Sequence, residues 1–184
     1  SELDEVLKTV RKIIEENEKI VKEVLDTSRR SVEEVRKHTK EVLDRVRELA
    51  KELEDATRKT SRKEDLERLL REVADRIRKL IEENRELVDR VNKENRRLIR
   101  ELEERNKRSA EDLKRLIDEL RKSSQTEEVD KVAEEIEKLV RESNRKVREV
   151  VKEIEKLNRD MRKESEDAVK EIEELLRTLE EKVR

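Results

Sequence analysis

The sequence predicts an all-α protein, an antiparallel up-down-up three-helix bundle of coiled-coil-like character with three helices of roughly 55–60 residues. Apolar residues recur at alternating steps of three and four, which is the spacing of one face of an α-helix. Two short breaks near residues 60 and 125 interrupt this pattern. The chain contains no glycine or proline, so no residue inside the three segments is a strong helix breaker.

Composition favours an ordered chain without chemistry of its own. Charged residues make up 55% and hydrophobic residues 31%, a balance also seen in disordered chains. Here 50 basic and 52 acidic residues nearly cancel, and the Leu, Val and Ile residues keep helical spacing. The absence of cysteine excludes disulfides, thiolate zinc sites and thiol catalysis. We expect no cofactor and no metal.

Nucleic-acid and membrane partners are also not expected. The formal net charge is -2 and no aromatic residue is present for stacking on bases. No apolar run approaches the roughly 18 residues of a membrane span. We therefore expect a soluble chain, with no prediction of its compartment.

The first predicted helix covers about residues 2–58. Its stripe runs from Leu3 to Ala56, and its outer face carries Glu-to-Lys or Glu-to-Arg pairs four residues apart, such as Glu15 with Lys19. The stripe weakens at residues 58–61. Ser61 followed by Glu64 fits a capping box that begins a new helix.

The second and third helices follow the same pattern. The second covers about residues 62–122, with a stripe from Leu66 to Leu120, and the next break is Ser-Ser-Gln-Thr at residues 123–126. Ser124 or Thr126 is the expected cap of the third helix, about residues 127–183. No change in composition marks a boundary, so we predict a single domain over residues 1–184.

The short breaks force consecutive helices to run antiparallel, which allows residues at equal height to be identified. Level positions have numbers that add to about 122 on the first two helices and to about 249 on the last two. These rules bring the polar residues of the three stripes into three common layers. The layers are Asn17, Asn106, Ser143 and Asn144; Ser28, Ser31, Asn92, Asn95 and Asn158; and His38, Asn84 and Ser165.

The chemistry of these side chains suggests why they would be grouped. A buried amide, hydroxyl or imidazole without a partner costs about 1–3 kcal/mol, whereas a satisfied one is close to neutral. Asn, Ser and neutral His each combine donors with acceptors, so they can satisfy one another. Moving one helix along another would leave amides facing Leu. We therefore predict that the layers fix helix register and pairing more than they add stability.

With these residues inside a Leu/Val/Ile core and under a Glu/Lys/Arg exterior, the whole chain resembles the de novo designed helical bundles with buried hydrogen-bond networks. The resemblance implies a single-chain structural scaffold with no natural biochemical activity. Natural three-helix proteins such as spectrin-like repeats are the alternative resemblance. The aromatic core residues expected in those proteins are absent here.

His38 is the one residue that could support catalysis or metal binding. Its predicted neighbours are Asn84 and Ser165, with Thr39 alongside, and they supply neither further metal ligands nor an acid to orient the ring. We predict a satisfied core histidine and no enzyme activity.

Two functions remain open on the sequence. The first is a self-contained scaffold, monomeric and requiring no partner. The second is a protein–protein interaction module, a helical component of a designed homo- or hetero-oligomer. No helix shows a second apolar stripe, which favours the monomer.

Overall fold

The computed structural model describes all residues 1–184 and contains three α-helices, α1 (Glu2–Lys59), α2 (Lys63–Ser123) and α3 (Glu127–Val183). The helices have 58, 61 and 57 residues and are joined by connections of three residues each. The expected bounds differ from these by at most one residue at any end. None of the helices is both long and apolar enough to cross a membrane.

The first connection differs from the expectation at its cap. The carbonyl of Arg62 accepts the first helical hydrogen bond of α2 from the Leu66 N–H at 3.2 Å, so Arg62 is the capping residue. The prediction of a capping box at Ser61 and Glu64 is therefore wrong. In this turn the Thr60 hydroxyl, rather than that of Ser61, accepts a hydrogen bond from the backbone N–H of Arg62 at 3.4 Å.

The second connection uses one of the two expected caps. The Thr126 hydroxyl accepts a hydrogen bond from the Val129 N–H at 3.3 Å, and the Thr126 carbonyl accepts from the Asp130 N–H at 3.1 Å. Thr126 is thus the capping residue of α3. Acidic side chains also fill the first turn of each helix, where they complement the positive end of the helix dipole.

The chain divides into two compact units, and each contains a segment of all three helices. Unit 1 comprises Ser1–Arg29 and Glu94–Lys156, and unit 2 comprises Arg30–Lys93 and Leu157–Arg184. The single-domain interpretation stays a prediction. Within each unit the apolar stripes of the three segments meet in buried clusters, as their spacing predicts.

Unit 1 buries small and medium aliphatic side chains from all three helices. One cluster is centred on Val10, Ile136 and Ala133, and a second contains Leu102 and Val147. Ile13, which widens the stripe of α1, is the exception because its side chain is exposed. Apolar packing in this unit therefore comes from Leu, Val, Ile and Ala alone, consistent with the lack of aromatic residues.

Unit 2 shows directly that α1 and α2 are antiparallel. Leu53 near the end of α1 clusters with Leu66 near the start of α2, whereas Val35 clusters with Val88 further along α2. The largest cluster includes the fully buried Ile77. The observed packing confirms the predicted all-α, antiparallel three-helix class.

Ion pairs along the exposed edges show that α1 and α3 are parallel. In unit 1 Arg11 and Arg29 contact acidic residues of α3 in the same order along both helices. In unit 2 Arg47 contacts Glu171 at 2.8 Å, and that hydrogen bond, together with the carboxylate charge, raises the pKa of Arg47. All these side chains are exposed to solvent, so the pairs contribute little to stability.

Candidate functional site

The best-defined polar site lies in the interior of unit 2 around Asn84. Asn84 is 2% exposed and makes side-chain hydrogen bonds to residues of both other helices. Its Oδ1 accepts from the Thr39 hydroxyl at 3.0 Å and lies 2.9 Å from His38 Nδ1. Its Nδ2 donates to the Ser165 hydroxyl at 2.8 Å. One amide on α2 thereby joins α1 to α3.

The contact with Asn84 favours the forms of the His38 ring that carry a proton on Nδ1. The amide oxygen of Asn84 has no hydrogen, so the contact with His38 is a hydrogen bond only if Nδ1 carries the proton. Both the neutral Nδ1–H form and the imidazolium satisfy this requirement. This contact orients the imidazole; the assignment of His38 as a purely structural residue stays a prediction.

The same geometry does not form a nucleophile–base pair. Asn84 lies between His38 and Ser165, and the Ser165 hydroxyl accepts its hydrogen bond from the amide rather than from the imidazole. A serine nucleophile needs direct contact with its base and a third group that orients the base. No group of three or more His, Cys, Asp or Glu side chains in the chain could hold a metal ion.

Unit 1 contains two further hydrogen bonds between helices. Asn17 Nδ2 donates to the Ser109 hydroxyl at 2.8 Å, joining α1 to α2. Asn106 Nδ2 donates to Asn144 Oδ1 at 2.8 Å, joining α2 to α3. Asn17 thus bonds to the residue three positions after Asn106 instead of to Asn106 itself. Ser143, beside Asn144, is buried.

The remaining predicted residues are distributed over both units. In unit 1 Ser28 and Asn95 are fully buried, and the Ser28 hydroxyl has no hydrogen-bond partner. In unit 2 Asn158 is buried, while Ser31 and Asn92 are partly buried. Asn95, Ser31 and Asn158 each take part in an interaction. Grouping these five residues into one layer stays a prediction.

Two residues that make these hydrogen bonds were not among the predicted layer residues, although Thr39 was expected beside His38. Thr39 supplies one of the two donors to Asn84, and Ser109 is the partner of Asn17. Both obey the numbering rule for level positions on α1 and α2 to within about one helical turn. A search for every Ser and Thr within one turn of each level position would have included them.

Ion pairs on the outer surface shift the pKa values of several charged side chains. Arg97 lies between Glu94 and Glu101 on α2, and its hydrogen bonds raise the pKa of the guanidinium and lower that of Glu94. A hydrogen bond from Lys182 holds the pKa of Glu54 below its ordinary value. Each of these two cations thus has an acidic neighbour.

Fold and interior together define the class: a three-helix bundle with hydrogen-bonded polar side chains in its core. The chain is similar to a solved structure described as "Computationally designed three helix bundle", with a TM-score of 0.82 and 17% sequence identity. The alignment covers 99% of this chain and 90% of that chain. At this identity the likeness shows the fold, and it confirms the expected one. No protein-family model and no curated protein matches the sequence.

Proposed function

We propose that this protein is a designed structural scaffold, self-contained and without catalytic activity, whose buried polar side chains fix the register and pairing of its helices. The likeness to a computationally designed three-helix bundle supports the scaffold assignment. The observation that carries the register role is Asn84, whose three hydrogen-bonding contacts reach α1 and α3.

The physical basis is a difference between correct and incorrect packing. In the observed register the Asn84 amide is satisfied on both sides. In a register shifted by five helical turns it would face aliphatic side chains, at a cost of about 1–3 kcal/mol for each buried polar group left without a partner. Aliphatic contacts vary less between registers, because Leu, Val and Ile can substitute for one another with modest cost. Polar positions therefore discriminate more strongly than they stabilise.

Equivalent positions elsewhere in each helix show which apolar residues can replace the polar residues of the site. The positions five helical turns before and after Asn84, about 18 residues away, hold Leu66 and Leu102, and the corresponding positions for Ser165 hold Val147 and Val183. Ile20 and Val21 precede His38 and Thr39 by the same five-turn interval. The variant H38I/T39V/N84L/S165V therefore removes the site using residues that the chain already places at equivalent positions.

Light scattering and NMR on this variant and the parent test the proposal. The parent should be monomeric, with a mass near 22.3 kDa, and should show one set of amide resonances. The variant should remain helical but populate additional conformers or assemblies. A parent that forms a stable dimer or trimer would instead favour an interaction module. A variant with the same single monomeric state as the parent would contradict the register role.

A further inference from the structure

The His38 ring lies at the edge of the buried site in unit 2, with one nitrogen facing inward and the other facing solvent. Its Nδ1 is 2.9 Å from Oδ1 of the buried Asn84, whereas the His38 side chain as a whole is partly exposed. In an imidazole the edge opposite Nδ1 carries Nε2. The exposed part of the ring is therefore the edge with Nε2. Buried polar atoms without a hydrogen-bond partner do not include Nε2, in agreement with its contact with solvent.

The contact with Asn84 also decides which ring nitrogen has an available lone pair. In a neutral imidazole one nitrogen carries the proton and the other carries a lone pair. Because Asn84 Oδ1 can accept only from a protonated Nδ1, the hydrogen-bonded neutral ring keeps its lone pair on Nε2. Metal-binding histidines are held in the same way, with the second ring nitrogen donating to an acceptor that fixes the tautomer and the ring orientation. The solvent-facing nitrogen of His38 is thus the one that can coordinate a metal.

The composition of the chain narrows the kind of metal species that fits this nitrogen. The chain has one histidine and no cysteine, and its single methionine, Met161, is 1% exposed. No group of three or more His, Cys, Asp or Glu side chains could hold an ion, so the metal must bring most of its own ligands. Imidazole suits transition metals, whereas carboxylates suit Mg²⁺, Ca²⁺ and Mn²⁺. The matching species is a transition-metal complex with one exchangeable ligand.

We propose that His38 is a single-point attachment site for such a complex, with Nε2 as the metal ligand and Asn84 as the positioning residue that keeps the lone pair on Nε2. In the attachment step the bond from the metal to one bound water breaks and the bond from Nε2 to the metal forms. No electron is transferred, and the Nδ1 proton stays in its hydrogen bond to Asn84. The site is independent of the scaffold function proposed above, because it concerns one ring within unit 2 and not the register or assembly of the helices.

Pentaammineaquaruthenium(II), which has one exchangeable water, is a direct probe of the site. The full chain is treated with a limited amount of the probe without oxygen, at about pH 8, where an ordinary imidazole is neutral. Mass spectrometry of the intact chain counts the attached groups, and peptide mapping locates them. The matched control is H38Q, because glutamine can still donate a hydrogen bond to Asn84 but has no ring nitrogen. Any attachment that remains in H38Q measures the Ser1 amino group.

We expect one group on His38 in the parent and loss of that group in H38Q. A parent that takes up no group on His38, or an H38Q variant that takes up as many groups as the parent, would overturn the proposal. Circular dichroism on both proteins checks that the helices are intact.

The role of Asn84 is tested by ¹⁵N NMR of the imidazole, which distinguishes the two neutral tautomers. The parent should show the Nδ1–H form. Asn84→Leu removes the acceptor, so the Nε2–H form should appear and attachment should slow by about 10-fold. Thr39→Val is the matched control, because it removes the other donor to the same Asn84 oxygen, at 3.0 Å, and leaves the His38 contact in place. It should keep the tautomer and the rate of the parent.

The tautomer of the parent is decisive even if Asn84→Leu fails to fold, because a predominant Nε2–H form would place the proton on the proposed ligand atom and overturn the proposal. Equal attachment rates in a folded Asn84→Leu and the parent would overturn the role of Asn84, as would an equal loss in Thr39→Val. Light scattering on the parent tests the scaffold separately. A stable oligomer that still binds the probe at His38 would contradict the scaffold alone, and a monomer that does not bind it would contradict the attachment site alone.

Discussion

Replacing Asn84 by leucine isolates the energetic role of the buried site. Leucine is the residue that α2 carries five helical turns away on either side, at Leu66 and Leu102. The substitution therefore introduces little steric conflict. It removes the shared partner of His38, Thr39 and Ser165.

The expected loss follows from the burial of those partners. Thr39 is 8% and Ser165 is 4% exposed, so neither hydroxyl readily gains water as a replacement. Two buried hydroxyls without partners cost about 2–6 kcal/mol together. Burying a leucine side chain returns about 2 kcal/mol, and Thr39 can turn toward a carbonyl of its own helix. With part of the penalty offset in this way, we expect Asn84→Leu to lower the free energy of unfolding by up to about 4 kcal/mol.

Urea or guanidinium denaturation followed by circular dichroism measures this loss. The variant H38I/T39V/N84L/S165V should recover the parent's stability or exceed it, because no buried polar group is then left without a partner. Leu102→Asn is the reciprocal control, since it places an amide among Val21, Val147 and Val151. We expect it to cost about 4 kcal/mol or more. Equal losses in Asn84→Leu and the fourfold variant, or a more stable Asn84→Leu, would refute the shared site.

Three further predictions concern the surface and the aliphatic core. Lys182 lowers the folded-state pKa of Glu54. The pair therefore stabilises the protein above the unfolded pKa of the carboxyl, and this contribution is lost as pH falls through the folded pKa. In Lys182→Met an NMR titration should show the Glu54 pKa rising toward 4.5, and an unchanged pKa would contradict the assignment. Glu103 and Glu155 lie five helical turns from the α2–α3 ion pairs Arg85–Glu173 and Arg121–Glu137, at the equivalent positions. Glu103→Arg would therefore create an ion pair and should stabilise the protein by up to about 0.5 kcal/mol in a denaturant melt. A loss of stability would count against that periodicity. Leu53→Ala, at a fully buried position, should cost about 2–5 kcal/mol in the same assay, and a loss below about 1 kcal/mol would show that the site tolerates a cavity.

The numbering rule for level positions predicted part of the candidate site. His38, Asn84 and Ser165 were identified as level positions from the two chain reversals, and the structure joins them through Asn84. The same rule placed Asn17 opposite Asn106, whereas Asn17 bonds to Ser109. Helical side chains project over about one turn, so a rule for heights leaves two or three candidate partners at each position.

The helices and their order were determined by the sequence itself. Apolar spacing, local charge pairs and the two short breaks act between residues a few positions apart, so they can be seen in the linear chain. Capping depends on the backbone path of a particular turn. In the first connection Thr60, not Ser61, makes the side-chain hydrogen bond, and only the three-dimensional structure could show this.

Tertiary structure decided which polar atoms meet. Whether Asn84 donates to Ser165 or to Thr39 depends on helix rotation and rotamers, and small changes in either redirect a hydrogen bond while leaving the apolar pattern unchanged. The alternation of charge along α1 and α3 was likewise present in the sequence. Which charged side chains face each other was decided by the structure, which pairs Arg36 with Glu164, because the partners across two helices are known only once the helices are placed side by side.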